Sequence, residues 1–136
     1  MPNKFSELVK IAGHLRSDKG CPWDREQTIL SMIEHFTEEA EEVKSAMEKG
    51  DHANLQEELG DLLFNIVLIA QIAKEEKLFN ISKVLSGIEK KIKTRHTWVF
   101  GKDKAKTADE ALVLWTRNKQ KEKANAGANP KAKILT

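Results

Sequence analysis

Phe5, Leu8, Val9, Ala12 and Leu15 recur at three- and four-residue steps, the spacing of one helical face, and the turn-rich segment 17–24 reads as a loop that ends this first helix. A second helix is predicted from Ile29, Ile33, Phe36, Ala40, Val43 and Met47, with Gly50 where a C-terminal cap is expected. Asp51 or Asn54 can cap a third, which carries Leu55, Leu59, Leu62, Leu63, Ile66, Val67, Ile69 and Ala70. Beyond Leu62 it is apolar nearly all round, so other helices must surround it, either within the chain or in a partner subunit. Ser82 begins a fourth helix with Val84, Leu85, Ile88 and Ile92 predicted to face inward, and its last turn holds Lys90, Lys91, Lys93 and Arg95, where cations suit the helix dipole. Thr107-Ala-Asp-Glu110 has the capping-box form for a fifth helix reaching about Lys123, with Ala111, Leu112 and Trp115 on its apolar side.

No strand-like alternation competes with this pattern. The expected fold class is all-α, a bundle of about four to five helices that assembles as a dimer or higher oligomer. The expected organisation is one domain over 1–123 and a flexible tail over 124–136. A length of 136 residues fits one domain, and with only 7 Gly and 3 Pro few breakers interrupt the helices.

Charge narrows the function classes. With 23 basic and 21 acidic residues the net charge is +2, so no overall field favours nucleic acid or membrane, and any charge logic is local. Cys21 is alone, which rules out an intramolecular disulfide and a thiolate zinc site. No apolar run approaches a membrane span, and the N-terminus lacks the apolar core of a secretory signal. A cytoplasmic setting is expected.

The local charge that stands out is acidic. On the second predicted helix Glu39 and Glu42 lie three apart, Glu39 bordering the apolar stripe. On the third, Glu58 and Asp61 are again three apart, with Asn65 four further on. A short turn from Gly50 to Asn54 makes the two helices antiparallel neighbours, so the acidic pairs can converge. Converging carboxylates repel unless a cation neutralises them, and hard oxygen ligands select Mg²⁺, Mn²⁺ or Ca²⁺, with Mg²⁺ carrying phosphate as the leading expectation. Solvated Glu-rich helix faces are common, and that reading stands beside the functional one. Gly60 within Glu58-Leu-Gly-Asp61 adds weight to the latter, because a glycine inside a helix costs about 1 kcal/mol relative to Ala and suggests close packing or a close ligand.

Glu38-Glu39-Ala-Glu-Glu42 followed by Glu58-Leu-Gly-Asp61 resembles the paired motifs of the MazG family of nucleoside triphosphate pyrophosphohydrolases. The resemblance extends through Leu15-Arg16, Gly20-Cys-Pro-Trp-Asp24, Gln27-Thr28, residues 57–64 and 91–101, and covers roughly residues 15–123. It implies a helical bundle that dimerises or assembles further, with Mg²⁺ held by Glu39, Glu42, Glu58 and Asp61 and Mn²⁺ able to substitute. Glu38 is then either the catalytic base or a ligand of a second ion. The implied reaction is hydrolysis of nucleoside triphosphates, non-canonical or deoxy forms included, to monophosphate and pyrophosphate. Family members commonly read Arg-His-Pro-His-Val-Phe where this chain reads Arg95-His-Thr-Trp-Val-Phe100.

Lys91 and Arg95 share a helix face and, under the resemblance, bind substrate by gripping the triphosphate as point charge and fork. Trp23 is the candidate for stacking on a nucleobase, with core packing as its alternative role. The expected partners are a nucleoside triphosphate and further copies of the chain, as a homodimer or homotetramer, with neither membrane nor nucleic acid. The competing function is a catalytically weak helical domain serving oligomerisation or regulation in a tandem MazG protein, since relatives often carry two such domains and residues 129–136 look like the start of a connecting segment.

Overall fold

A computed structural model describes residues 3–127, which form seven helices and no strand. They are α1 (Lys4–Leu15), α2 (Pro22–Glu26), α3 (Met32–Lys49), α4 (His52–Glu75), α5 (Ile81–Arg95), α6 (Thr97–Phe100) and α7 (Ala108–Gly127). The chain divides into two compact units, 1–84 and 85–136. Both are all-α among the described residues.

In the first unit α3 and α1 both pack on α4. Ala12, Met32, Val67, Leu68 and Ile72 form the buried core, and Phe5, Leu8, Val9, Ile29, Phe64 and Ile69 close around it. The caps explain the element boundaries. Asn3 accepts from the Phe5 and Ser6 amides at the start of α1. Gly50 ends α3 in the left-handed region, φ 66°, where an L side chain is strained. The Asp51 side chain then accepts from the Asn54 amide and starts α4 at once. α3 and α4 are therefore a tight αα-hairpin.

The segment expected as a loop contains α2. Pro22 occupies its first turn, where the missing N–H costs nothing. This short helix is held by Arg16, whose buried guanidinium makes two 2.9 Å bonds to the Glu75 carboxylate on α4 and also donates to the Asp24 and Gln27 carbonyls. The ion pair holds the Glu75 carboxyl below its ordinary range, the guanidinium outweighing the opposing effect of burial. One side chain thus ties α1, α2 and α4 together.

In the second unit α6 packs on α7. Asn118 is buried and donates to the Arg95 carbonyl and the Thr97 hydroxyl, both at 2.9 Å, while Thr97 donates to Asp103. α5 begins at Ile81, with the Asn80 side chain accepting from the Lys83 amide, one residue ahead of the predicted Ser82. The predicted inward face of α5 differs from the structure: Val84, Leu85, Ile88 and Ile92 are all exposed, at 38–47% of their surface. α7 runs to Gly127, past the predicted end at Lys123, and residues 128–136 of the expected tail lie outside the described residues.

Two substitutions test the hairpin and the core it packs on. Gly50→Ala is expected to cost about 1 kcal/mol through left-handed strain, and Leu68→Ala about 2–5 kcal/mol through a buried cavity. Urea unfolding of each variant reads both, and an unchanged midpoint for Gly50→Ala would contradict the cap geometry.

Candidate metal centre

The hairpin has a simple register. Glu42 precedes Gly50 by eight residues and Glu58 follows it by eight; Glu39 and Asp61 stand eleven away on either side, and His35 and Asn65 fifteen. Residues equidistant from the turn come opposite one another in such a hairpin. The pairing is visible at its open end, where the buried Asn65 amide donates to the His35 carbonyl at 3.2 Å.

The acidic residues converge as that register requires. One carboxylate oxygen each from Glu39, Glu58 and Asp61 lies within 4.8 Å of the other two. Glu58 is buried, Glu39 half-buried and Asp61 exposed, so the cluster opens to solvent on one side. Glu39 Oε2 and Glu58 Oε2 are buried with no hydrogen-bond partner. Such orphaned acceptors are costly unless something outside the chain satisfies them.

The electrostatics follow from this crowding. Burial, then the charges of Asp61 and Glu42, raise the Glu39 carboxyl above its ordinary range, and Glu38 adds a smaller push in the same direction. A hydrogen bond shared with Glu42, together with burial, moves Glu58 from 4.5 to about 7. Glu42 thus belongs to the cluster through Glu58 while standing outside the three-oxygen group, and Glu38 lies exposed at its edge. A divalent cation suits this site: the donors are all hard oxygens, two lack partners, and their mutual repulsion is what a cation relieves. At Gly60 an added Cβ would meet nothing within 4 Å, so packing among the described residues does not explain the glycine.

Trp23 sits on α2 in the same unit. It is 50 % exposed, which excludes the core-plug role, and its ring meets His35 edge-on at 5.0 Å. Nothing in the hydrophobic periodicity singled out His35; its place opposite Asn65 and against Trp23 arises only on folding.

Lys91 and Arg95 belong to the second unit. Lys91 is exposed and, with Lys90, Thr94, Arg117, Lys121 and Glu122, lines an open cleft of about 870 Å³. Arg95 is engaged: its Nε donates to Glu122 at 2.9 Å, and its guanidinium lies 5.5 Å from the centre of the Trp115 ring, which Lys119 also approaches. Burial raises the Glu122 carboxyl, but bonds from Thr94 and Arg95 and the charge of Lys91 outweigh it and leave Glu122 below its ordinary range.

The sequence profile of the MazG nucleotide pyrophosphohydrolase domain matches residues 27–100, a span containing every residue of the acidic cluster. The chain belongs to the MazG family. Among MazG relatives, the nucleoside triphosphate pyrophosphohydrolase of Escherichia coli (strain K12) is 38% identical over 123 residues, which are 90% of this chain and 47% of that protein. The nucleoside triphosphate pyrophosphohydrolase/pyrophosphatase MazG of Thermotoga maritima is 42% identical over 97 residues, 71% of this chain and 38% of that one. The crystal structure of a mazG-related protein from Thermotoga maritima matches with a TM-score of 0.71 and 32% identity, covering 85% of this chain and 98% of its own. The MazG fold is therefore shared across most of the chain. The chain spans about half the length of the curated relatives it matches, or less.

The raised Glu58 carboxyl sets a pH dependence. Without metal the folded chain keeps a proton that the unfolded chain releases from about 4.5 upward. This contribution to stability is therefore complete below that pH and is lost as pH rises through about 7. A cation needs the deprotonated form, so divalent-ion affinity is expected to rise through the same window with release of a proton. Calorimetric titration in buffers of different ionisation enthalpy measures both, and a pH-independent affinity would contradict the assignment.

Proposed function

We propose that this chain hydrolyses nucleoside triphosphates to nucleoside monophosphate and pyrophosphate, with Mg²⁺ as its resident ion and Mn²⁺ able to replace it. The observation that carries this reading is the Glu39–Glu58–Asp61 cluster with its two orphaned oxygens, in a chain of the MazG family. Relatives in that family are named nucleoside triphosphate pyrophosphohydrolases.

Glu39, Glu58 and Asp61 would hold the ion, with Glu42, which is coupled to Glu58, as the fourth candidate ligand. When bound, the ion polarises phosphate oxygens and offsets the charge that develops on them. Glu38, exposed and next to Glu39, orients the attacking water and accepts its proton; the competing role is ligation of a second ion. The water oxygen bonds to phosphorus as the anhydride bond between the α and β phosphorus atoms breaks, and pyrophosphate carries away the bridging oxygen or leaves it on the monophosphate, according to which phosphorus is attacked. Lys91 and Arg95 are assigned to the phosphate chain, Arg95 by exchanging its Glu122 partner for a phosphate of similar geometry. Trp23 offers its open indole surface to the base.

Assembly with further copies, as a homodimer or homotetramer, would cover Ile33 and Leu59, which are 58% and 49% exposed, together with Phe36, Leu63 and Ile66. Among the described residues no helix is long and apolar enough to cross a membrane, and the single Cys21 suits a cytoplasmic setting. Because the chain spans about half of its relatives or less, a second reading is a helical oligomerisation or regulatory domain of a longer tandem protein.

Pyrophosphate release from a panel of canonical, deoxy and modified nucleoside triphosphates, with and without Mg²⁺, separates the two readings. Catalysis predicts Mg²⁺-dependent release that falls at least about 100-fold in Asp61→Ala, more than the loss usual for an outer partner of a metal ligand. No metal-dependent release from any substrate would support the non-catalytic reading. Light scattering after size exclusion is expected to show a dimer or tetramer, and a monomer at micromolar concentration would contradict the assembly.

A further inference from the structure

Trp23 is half exposed on a five-residue helix, yet both the helix and the ring are restrained. Arg16 donates to the Asp24 and Gln27 carbonyls, and the Gln27 side-chain amide donates to the Trp23 carbonyl at 2.9 Å. The Ser31 hydroxyl in turn donates to the Gln27 side chain, which extends the bracing to the start of α3. These bonds fix the backbone of α2 and leave the indole free to turn about its own side-chain torsions. What meets the indole is His35, ring centres 5.0 Å apart and planes at 66°, an edge-to-face arrangement of the kind aromatic pairs prefer. His35 is itself held by the Asn65 bond to its carbonyl. It precedes Glu39 by four residues, one helical turn, so the aromatic pair stands about 6 Å along the α3 axis from the first carboxylate of the cluster. A sugar bridges a gap of that kind between a base and its first phosphate.

We propose that His35 is a positioning residue for the substrate's base: its ring holds the Trp23 indole as the platform on which a nucleobase stacks. This rests on the nucleotide reading given above. The open half of the indole takes the base, the held half leans on His35, and the imidazole makes no hydrogen bond that the role requires. The platform reads a flat aromatic surface rather than a base edge, so every nucleobase gains from it.

The test uses Mg²⁺ kinetics with ATP, GTP, CTP and UTP, together with inhibition by inorganic tripolyphosphate, which has no base. His35→Ala is expected to raise KM for the nucleotides about 2- to 12-fold, the equivalent of losing one aromatic pair. It is expected to leave kcat within about twofold and the tripolyphosphate inhibition constant unchanged. His35→Phe keeps the edge contact and restores KM, and His35→Ala adds nothing further in a Trp23→Ala background. An unchanged KM, an equal loss for tripolyphosphate, or failure of phenylalanine to rescue would each overturn the positioning role. Failure of the wild type to release pyrophosphate would instead count against the hydrolase reading. Quenching of tryptophan fluorescence by the same nucleotides then decides the platform: quenching lost in Trp23→Phe and weakened in His35→Ala supports it, and no quenching in the wild type overturns it.

Discussion

Carboxylates repel, and the α3–α4 hairpin holds three of them with oxygens inside 4.8 Å of one another. The chain without a ligand meets this constraint only in part. The crowding pushes the Glu39 and Glu58 carboxyls upward, and with the acids ionised two buried oxygens, one on each, have no donor. A fold optimised for stability alone would separate these groups or set an Arg or Lys among them. Their retention on the inner side of a hairpin is intelligible as storage of repulsion that a hard cation relieves.

The rest of the first unit resists that repulsion. Gly50 in the left-handed region and Asp51 as the next cap leave no slack in the turn, so the two helices cannot slide to separate the acids. Met32, Val67, Leu68 and Ile72 are nearly sealed from solvent and clamp the hairpin from Met32 to the second half of α4. Arg16 adds a polar bolt: its bidentate pair with Glu75 and its bonds to the carbonyls of Asp24 in α2 and of Gln27 just after it tie the Trp23 turn to the helix that carries Glu58 and Asp61. The apolar residues left exposed on α3 and α4 belong to the same helices as the acids.

Much of this was legible in the residues. Apolar steps of three and four placed the five long helices, and Gly50, Asp51 and Thr107 marked real caps, the Thr107 hydroxyl accepting from the Glu110 amide. The short turn from Gly50 to Asn54 made antiparallel helices, and so convergence of the two acidic pairs, an expectation, and Glu39, Glu58 and Asp61 do meet. Other features carried no local signal. α2 and α6 are too short for a hydrophobic period to show, and α2 depends on Arg16, which lies outside it. The exposure of α5's apolar side could not be read, because a period says which residues share a face and not what covers it. The engagement of Arg95 by Glu122, and the contact of His35 with Trp23, join residues far apart in the chain or on different helices.

Crystals grown with Mn²⁺ and measured for anomalous scattering would show whether the hairpin carboxylates hold a cation, since the signal locates the ion without reference to activity. The expected result is a peak within ligand distance of carboxylate oxygens of Glu39, Glu58 and Asp61 that is absent from a folded Asp61→Ala variant. A well-ordered hairpin with no peak at those oxygens, in crystals saturated with Mn²⁺ above pH 7, would contradict the assignment of this cluster as a metal centre.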